Sequence, residues 1–265
     1  MRDDRSEAGA GDGGAGEVDA AARNVIADVD HLTRTSQEYS KGSGGHFRLG
    51  LGSTPSALLS EPLLAYASHR RANMRITLTF GKSELQIEAL RERQTDAVIV
   101  ETRSILPTPD LAIEHIAELP TGLLCRPGHP LTRRKRIRFQ DLLAYPVAST
   151  SMSDEAIRFL VESFGPDAHP DKFVSLQCDE IRSLLDVVQT SNAVFIGVIA
   201  AAAAFLRDGS LVLLEGPGPT LNSVFSIATL RGRGTPLSFP AIRNIVRETL
   251  RAGMVLPVPA KRRTL

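Results

Sequence analysis

The sequence is poor in cysteine, in net charge and in long apolar runs, and each shortage excludes a class of protein. Two cysteines, Cys125 and Cys178, are too few for a disulfide framework or a metal cluster and suit a reducing compartment. Lysine and arginine number 31 against 30 aspartate and glutamate, a net charge of +1. The chain therefore has no global basic field for nucleic acid, and any DNA contact needs a local motif. The most apolar stretch, 193–206, is shorter than the roughly 18–20 residues that cross a bilayer. No apolar segment of the kind an export signal needs follows the charged start, Met1-Arg2-Asp3-Asp4-Arg5. These shortages predict a soluble, cytoplasmic protein.

What is present suits a folded chain. Of 265 residues 42% are hydrophobic and 23% charged, enough to bury the core of one large domain or of two lobes. Residues 1–16, glycine-rich from position 9, have little apolar area to bury and read as disordered. Val18, Ala22, Val25, Val29 and Leu32 then recur at steps of four, three, four and three, a heptad seam within a helix over 17–40. That seam suits either a dimerisation coiled coil or an amphipathic helix lying on its own domain. The run Ser40-Lys41-Gly42-Ser43-Gly44-Gly45 reads as a flexible joint, and 257–265 as a tail.

From His46 onward, strand-like and helical runs alternate. Strands are expected at 47–51, 75–80 and 97–100, and helices at 55–68 and 83–93. Thr54 would cap the first helix with Pro55 at its first position, and Ser83-x-x-Gln86 forms a capping box for the second. Further strands are expected from Leu123-Leu124, at 146–148, 173–176, 193–196 and 223–230. Helices are expected at 151–164 with Ser151 as cap, 180–189 with Asp179 as cap, 200–206 and 240–251. Successive β-α-β units predict mostly parallel sheets covered by helices. Breaks at 120–122 and 216–219 divide them into two lobes crossed twice by the chain: 46–121 with 222–256, and 122–221.

The familiar catalytic and nucleotide motifs fail on inspection. Gly81-Lys82-Ser83 imitates the end of a phosphate-binding loop, but Ile76 stands where that loop needs glycine. Gly50-x-Gly52 imitates a dinucleotide fingerprint, but Pro55 occupies its third glycine position. His31, His46, His69, His115, His129 and His169 are scattered without metal-ligand spacing. No serine-hydrolase elbow and no pair of catalytic carboxylates stands out. The basic run Arg133-Arg134-Lys135-Arg136 lacks interleaved aromatics and reads as a solvated loop. The sequence thus predicts a protein with no enzymatic activity, cofactor or metal.

What remains is a set of small hydroxyl residues at strand-to-helix turns: Ser53 and Thr54, Ser83, and Ser149, Thr150 and Ser151. Taken singly, each reads as a helix cap. Taken together, they would surround one crevice with hydroxyls, free backbone N–H groups and positive helix ends, a site for a carboxylate or another small anion. Arg103 is either a bidentate clamp for that anion or an exposed loop arginine.

Several runs, in order, resemble the effector-binding domain of LysR-type transcriptional regulators. They are Phe47-Arg48-Leu49-Gly50-Leu51-Gly52-Ser53 with Leu58-Leu59 and Pro62-Leu63-Leu64, and Gly81-Lys82-Ser83-Glu84-Leu85. Leu90-Arg91-Glu92-Arg93-Gln94-Thr95-Asp96-Ala97-Val98-Ile99 follows, then Gly128-His129-Pro130-Leu131 with Phe139-Gln140-Asp141-Leu142-Leu143. The last is the late strand-helix-strand stretch, 187–198 with Leu206-Arg207-Asp208-Gly209-Ser210-Leu211-Val212. The resemblance covers roughly 46–256.

It implies two Rossmann-like lobes of the type 2 periplasmic-binding-protein kind, preceded by a linker helix that makes a homodimer or homotetramer. It also implies a small-molecule effector in the cleft, touching Ser53 or Thr54, Gly81 and Ser83, the Ser149–Ser151 turn and Gly197–Val198. The chain departs from the family's pattern near Val198, where proline is frequent, and at Ser191-Asn192-Ala193, where Gly-x-Gly is frequent. No winged helix-turn-helix precedes the linker, so the sequence reads as the sensing and dimerisation part of such a regulator, shortened by fragmentation or a misassigned start. DNA would then be reached only through the missing element. A transporter's solute-binding protein, which shares the fold, is the alternative, and the lack of an export signal argues against it.

Overall fold

The computed structural model describes residues 45–69, 74–216, 218 and 221–254. The expected seam of Val18, Ala22, Val25, Val29 and Leu32, with the 1–16 segment and the 257–265 tail, lies outside the described residues.

The first sheet is built from β1 (His46–Leu51), β2 (Arg75–Phe80), β3 (Ala97–Glu101), β4 (Leu111–Leu119) and the late strand β10 (Ser223–Leu230), in the order β2-β1-β3-β10-β4. The second is built from β5 (Thr121–Cys125), β6 (Val147–Ser149), β7 (Val174–Gln177), β8 (Val194–Val198) and β9 (Val212–Leu214), in the order β7-β6-β8-β5-β9. Helices α1 (Ser53–His69), α2 (Ser83–Arg91) and α8 (Phe239–Met254) belong to the first sheet. With the second go α3 (Phe139–Leu142), α4 (Asp154–Phe164), α5 (Pro170–Phe173), α6 (Ile181–Thr190) and α7 (Ala203–Arg207). This is the expected two-lobed α/β fold.

The central strand β3 explains how the first lobe holds together. Its continuous apolar run is fully buried, and its side chains alternate between two cores. Ala97 and Ile99 face Leu59 and Leu63 of α1 and Ile242, Val246 and Leu250 of α8. Val98 and Val100 face Ile87 and Leu90 of α2. In the second lobe Val147 and Val194 join one core, while Ala148 and Phe195 join the other.

Each sheet is mixed, which corrects the expectation of mostly parallel pairing. β1 runs parallel to β2 and β3, but β10 runs antiparallel to β3 and β4. Likewise β6 runs parallel to β7 and β8, but β5 runs antiparallel to β8 and β9. The antiparallel strands come from the two crossings, because β4 leads directly into β5 at Pro120 and the return path leads into β10. The crossings are tied side by side: the Thr121 hydroxyl donates to the Leu221 carbonyl at 2.5 Å, and Asn222 Nδ2 donates to Glu118 Oε1 at 2.9 Å.

The expected helix caps need correcting. Helix α1 already includes Thr54, and the Gly52 carbonyl accepts the Ser56 N–H at 2.8 Å, so Thr54 lies within the first turn. Ser83 is the first residue of α2 rather than its cap, and Gln86 turns away to accept the Thr79 hydroxyl at 3.2 Å. Ser153, not Ser151, caps α4, accepting the Ala156 N–H at 3.4 Å. Glu180, not Asp179, caps α6, accepting the N–H groups of Arg182 and Ser183 at 3.0 and 2.7 Å. The alanine-rich segment is a 3-10 turn over Ile199–Ala202 followed by the short α7, rather than one helix. Displaced from capping, Thr54, Ser83, Ser151 and Asp179 are left at the carboxyl ends of the strands, where the two lobes meet.

Candidate functional site

Parallel strands place the residues that follow them at one edge of each sheet, and here the two edges face each other. From the first lobe come Ser53 and Thr54 after β1, Lys82 and Ser83 after β2, and Glu101 at the end of β3. From the second come Thr150 and Ser151 after β6, and Asp179 after β7. All of them line one polar hollow of about 60 Å³. Thr54, Glu101, Thr150 and Ser151 also line the mouth of a second, larger chamber of about 370 Å³. That chamber runs back into the second lobe between its sheet and α4, walled by Phe139, Phe159, Leu160, Phe164, Ile196 and Leu214.

The hydroxyls divide by what they already hold. Ser149 is buried, and its hydroxyl donates to the Ile196 carbonyl at 2.9 Å, reinforcing the β6–β8 pairing. Ser151 accepts from Gln177 Nε2 at 3.2 Å, and Ser53 donates to Asp179 Oδ1 at 3.2 Å. Thr54, Ser83 and Thr150 make no side-chain hydrogen bond with the described residues and so keep full hydrogen-bonding capacity for a ligand. Gly197 and Val198 line the chamber, whereas Gly81 lines neither hollow. A side chain at Gly197 would meet the Phe195 ring at 2.5 Å, so glycine there lets the ring fold along its own strand.

Arg103 is not the exposed loop arginine of the sequence reading, and its guanidinium is engaged by protein groups, Glu101 at 3.6 Å among them. It sits in the 3-10 turn Thr102–Ser104 with a side chain 17% exposed. Its Nε meets Glu155 Oε1 of α4 at 3.0 Å, and its Nη1 donates to the Asn222 carbonyl at 2.6 Å. Arg103 belongs to the first lobe and Glu155 to the second, so this ion pair, like the Ser53–Asp179 hydrogen bond, joins the lobes across the cleft.

The charged groups on the polar hollow are Lys82 against Glu84, Glu101 and Asp179. Burial pushes the Glu101 carboxyl above the ordinary carboxylate value; Arg103 opposes the shift and Glu155 adds to it. The sequence reading missed Lys82, Glu101, Asp179 and the whole chamber. Glu101 had one signal, an acidic residue closing an otherwise apolar strand.

Among the described residues no metal-ligand cluster or reactive thiol competes with this site. No group of three or more His, Cys, Asp or Glu side chains there is arranged to hold a metal ion. Burial pushes the Cys125 thiol up to about 12, which keeps it protonated and inert. The run Arg133–Arg136 is exposed, with Arg134 paired to Asp141 at 2.6 Å.

Comparison with known proteins adds an independent line. A family model described as the LysR substrate binding domain matches residues 40–251. A curated relative, the SDS degradation transcriptional activation protein of Pseudomonas sp. (strain ATCC 19151), is 25% identical over 232 residues. Those residues are 86% of this chain and 71% of the relative. Among solved structures, a probable transcriptional regulator from Pseudomonas aeruginosa superposes with a TM-score of 0.65 at 17% identity, over 88% of this chain and 75% of its own. The reduced regulatory domain of OxyR2 from Vibrio vulnificus gives 0.61 at 17% identity, over 78% and 96%. The regulatory domain of MetR, a LysR family regulator from N. meningitidis, gives 0.59 at 14% identity, over 80% and 97%. At these identities the structural likeness concerns the fold.

Proposed function

The chain belongs to the LysR substrate-binding-domain family, and on that premise we propose that its cleft senses a small anionic effector and reports it by moving the lobes. The observation that carries this reading is the set of uncommitted hydroxyls, Thr54, Ser83 and Thr150, drawn from both lobes onto one hollow beside Lys82 and the start of α1. An anion there would sit close to Glu101, whose carboxyl burial holds above its ordinary value. We further propose that residues 17–40 form the dimerisation helix of a homodimer or homotetramer, and that the lobes are 46–121 with 222–256, and 122–221. DNA contact through a helix-turn-helix and a cytoplasmic location complete the reading. The transporter alternative is set aside, because the curated relative is a transcriptional activation protein and the family is one of regulators. The reading is of a binding protein without turnover.

The mechanism is a population shift. A ligand touching both lobes favours the closed arrangement by the difference between its affinities for the closed and open forms. The Thr54→Val, Thr150→Val double variant removes one hydroxyl from each side. Small organic acids that stabilise the wild type in a thermal-shift screen are expected to bind it about tenfold more weakly, two hydrogen bonds being at stake, with the unliganded melting temperature nearly unchanged. Equal binding by the double variant would sink the cleft as the sensing site.

The links across the cleft should tune the same equilibrium. Glu155→Gln removes a partly exposed ion pair of about 0.2–1 kcal/mol, so the closed-to-open ratio should fall by up to about fivefold. Small-angle scattering of the unliganded chain should then give a larger radius of gyration, and an identical profile would count against a latch.

A further inference from the structure

The chamber behind the cleft has an unusual roof. Helix α4 is amphipathic, and Ala156, Phe159, Leu160 and Phe164 form one stripe at helical spacing. Such a stripe ordinarily interdigitates with a sheet, yet no residue of α4 is fully buried. Leu160 and Phe164 touch the second lobe's core, with Phe164 stacked on Phe139 at 5.6 Å, but the stripe as a whole also roofs the 370 Å³ chamber. An apolar void of that size forfeits dispersion contacts along its whole lining, a cost that an occupant would remove. Water is a poor occupant, because each molecule needs two to four polar partners and the deep walls are hydrocarbon. Of the lining hydroxyls away from the shared mouth, Ser149 is already committed to the Ile196 carbonyl and Thr121 to the Leu221 carbonyl, which leaves Ser223.

The volume falls within the roughly 300–1,000 Å³ of small-molecule sites, and the polar groups sit at one end. Thr54, Thr150, Ser151 and Glu101 are shared between the chamber mouth and the polar hollow. A small anion alone would fill the hollow and leave the chamber empty. We propose that the chamber under α4 receives the hydrocarbon body of an amphipathic effector whose polar head lies among Thr54, Thr150 and Ser151. This rests on the cleft being the sensing site and adds the chemical class of what is sensed. It also gives the ligand a lever: α4 carries Glu155, the partner of Arg103, so an occupant pressing on the roof acts directly on a link between the lobes.

Calorimetric titration of the full chain with straight-chain alkanoates from butyrate to decanoate, and with the matching 1-alkanols, tests this. Affinity should rise in both series by up to about fourfold per methylene, the ratio that ~0.8 kcal/mol per buried CH₂ corresponds to, and level off once the chamber is full. Ala156→Trp fills the chamber from its roof and should abolish the gain with length, so that decanoate binds no more tightly than butyrate. Should that variant fold poorly, hydrogen exchange on the wild type gives the same answer: decanoate should protect amides in 154–164 and butyrate should not. Affinity that does not grow with length in either series, including no binding by any member, overturns the proposal. So does a gain that survives in Ala156→Trp. The cleft reading fails separately, if the Thr54→Val, Thr150→Val variant binds butyrate as the wild type does.

Discussion

Asp96→Ala is expected to destabilise the chain by about 3–5 kcal/mol, the cost of removing one partner of a buried ion pair, and to lower its melting temperature by on the order of 10 °C. The Asp96 side chain is 2% exposed and ties two strands at the end of the first sheet away from the cleft. One of its oxygens accepts the Arg48 backbone N–H at 2.8 Å, and the other accepts Arg48 Nη2 at 2.9 Å. Its own N–H donates to the Arg48 carbonyl at 2.8 Å, so β1 and the entry to β3 are joined in both directions. Arg233, in the turn after β10, approaches the same carboxylate at 3.7 Å. Alanine would leave the Arg48 backbone N–H without its acceptor and take the carboxylate away from a mostly buried guanidinium. Asp96→Asn keeps an acceptor and should lose distinctly less. Urea titration of both variants measures the difference, and a loss below about 1 kcal/mol in Asp96→Ala, the range of exposed pairs, would mean that the pair is not buried in solution. The Asp96 carboxylate is an anchor remote from the site, so binding by the folded fraction should be unchanged.

How far the sequence discloses this molecule depends on the kind of information each feature carries. Strands β3 and β8 are legible because a central strand covered on both faces must be apolar throughout, and Ala97-Val98-Ile99-Val100 has few other uses. Strand β4 is not legible. Leu111-Ala112-Ile113-Glu114-His115-Ile116-Ala117-Glu118-Leu119 is rich in good helix formers, and it becomes a strand through pairing with β10, more than a hundred residues away. The caps fail for a local reason: Ser149-Thr150-Ser151-Met152-Ser153 offers four hydroxyls, and only packing selects Ser153. The partner of Arg103 is likewise fixed by tertiary structure, because Glu155 is brought to it by the meeting of the lobes. The chamber is the hardest case. Phe159, Leu160 and Phe164 read as ordinary core residues, and a sequence records which side chains are apolar but not where they fail to fill the space between them.

His129 supplies a second large effect, and its sign with pH follows from its hydrogen bonds. The ring is fully buried between the second lobe's core and its surface loops, edge-on to Tyr145 at 4.6 Å between centroids. Nδ1 accepts the Leu131 N–H at 3.1 Å, and Nε2 meets the Asn192 carbonyl at 3.1 Å, where it must donate. One nitrogen accepting and the other donating is the neutral imidazole, and burial holds the pKa below its ordinary value, against the pull of the Asn192 carbonyl. His129→Ala removes the ring and strands a buried N–H and a buried carbonyl, so about 3 kcal/mol should be lost near neutrality. A histidine whose folded pKa is depressed contributes stability that is complete above the unfolded value, ~6.5, and is lost as pH falls through the folded one, because the unfolded chain binds the proton more readily. The wild-type advantage over His129→Ala should therefore narrow between pH 7.5 and about pH 5 in urea titrations. An advantage that widens on acidification would require the imidazolium to be the form held in the fold. The Leu131 N–H would then have lost its acceptor, and the hydrogen-bond pattern around His129 would be wrong.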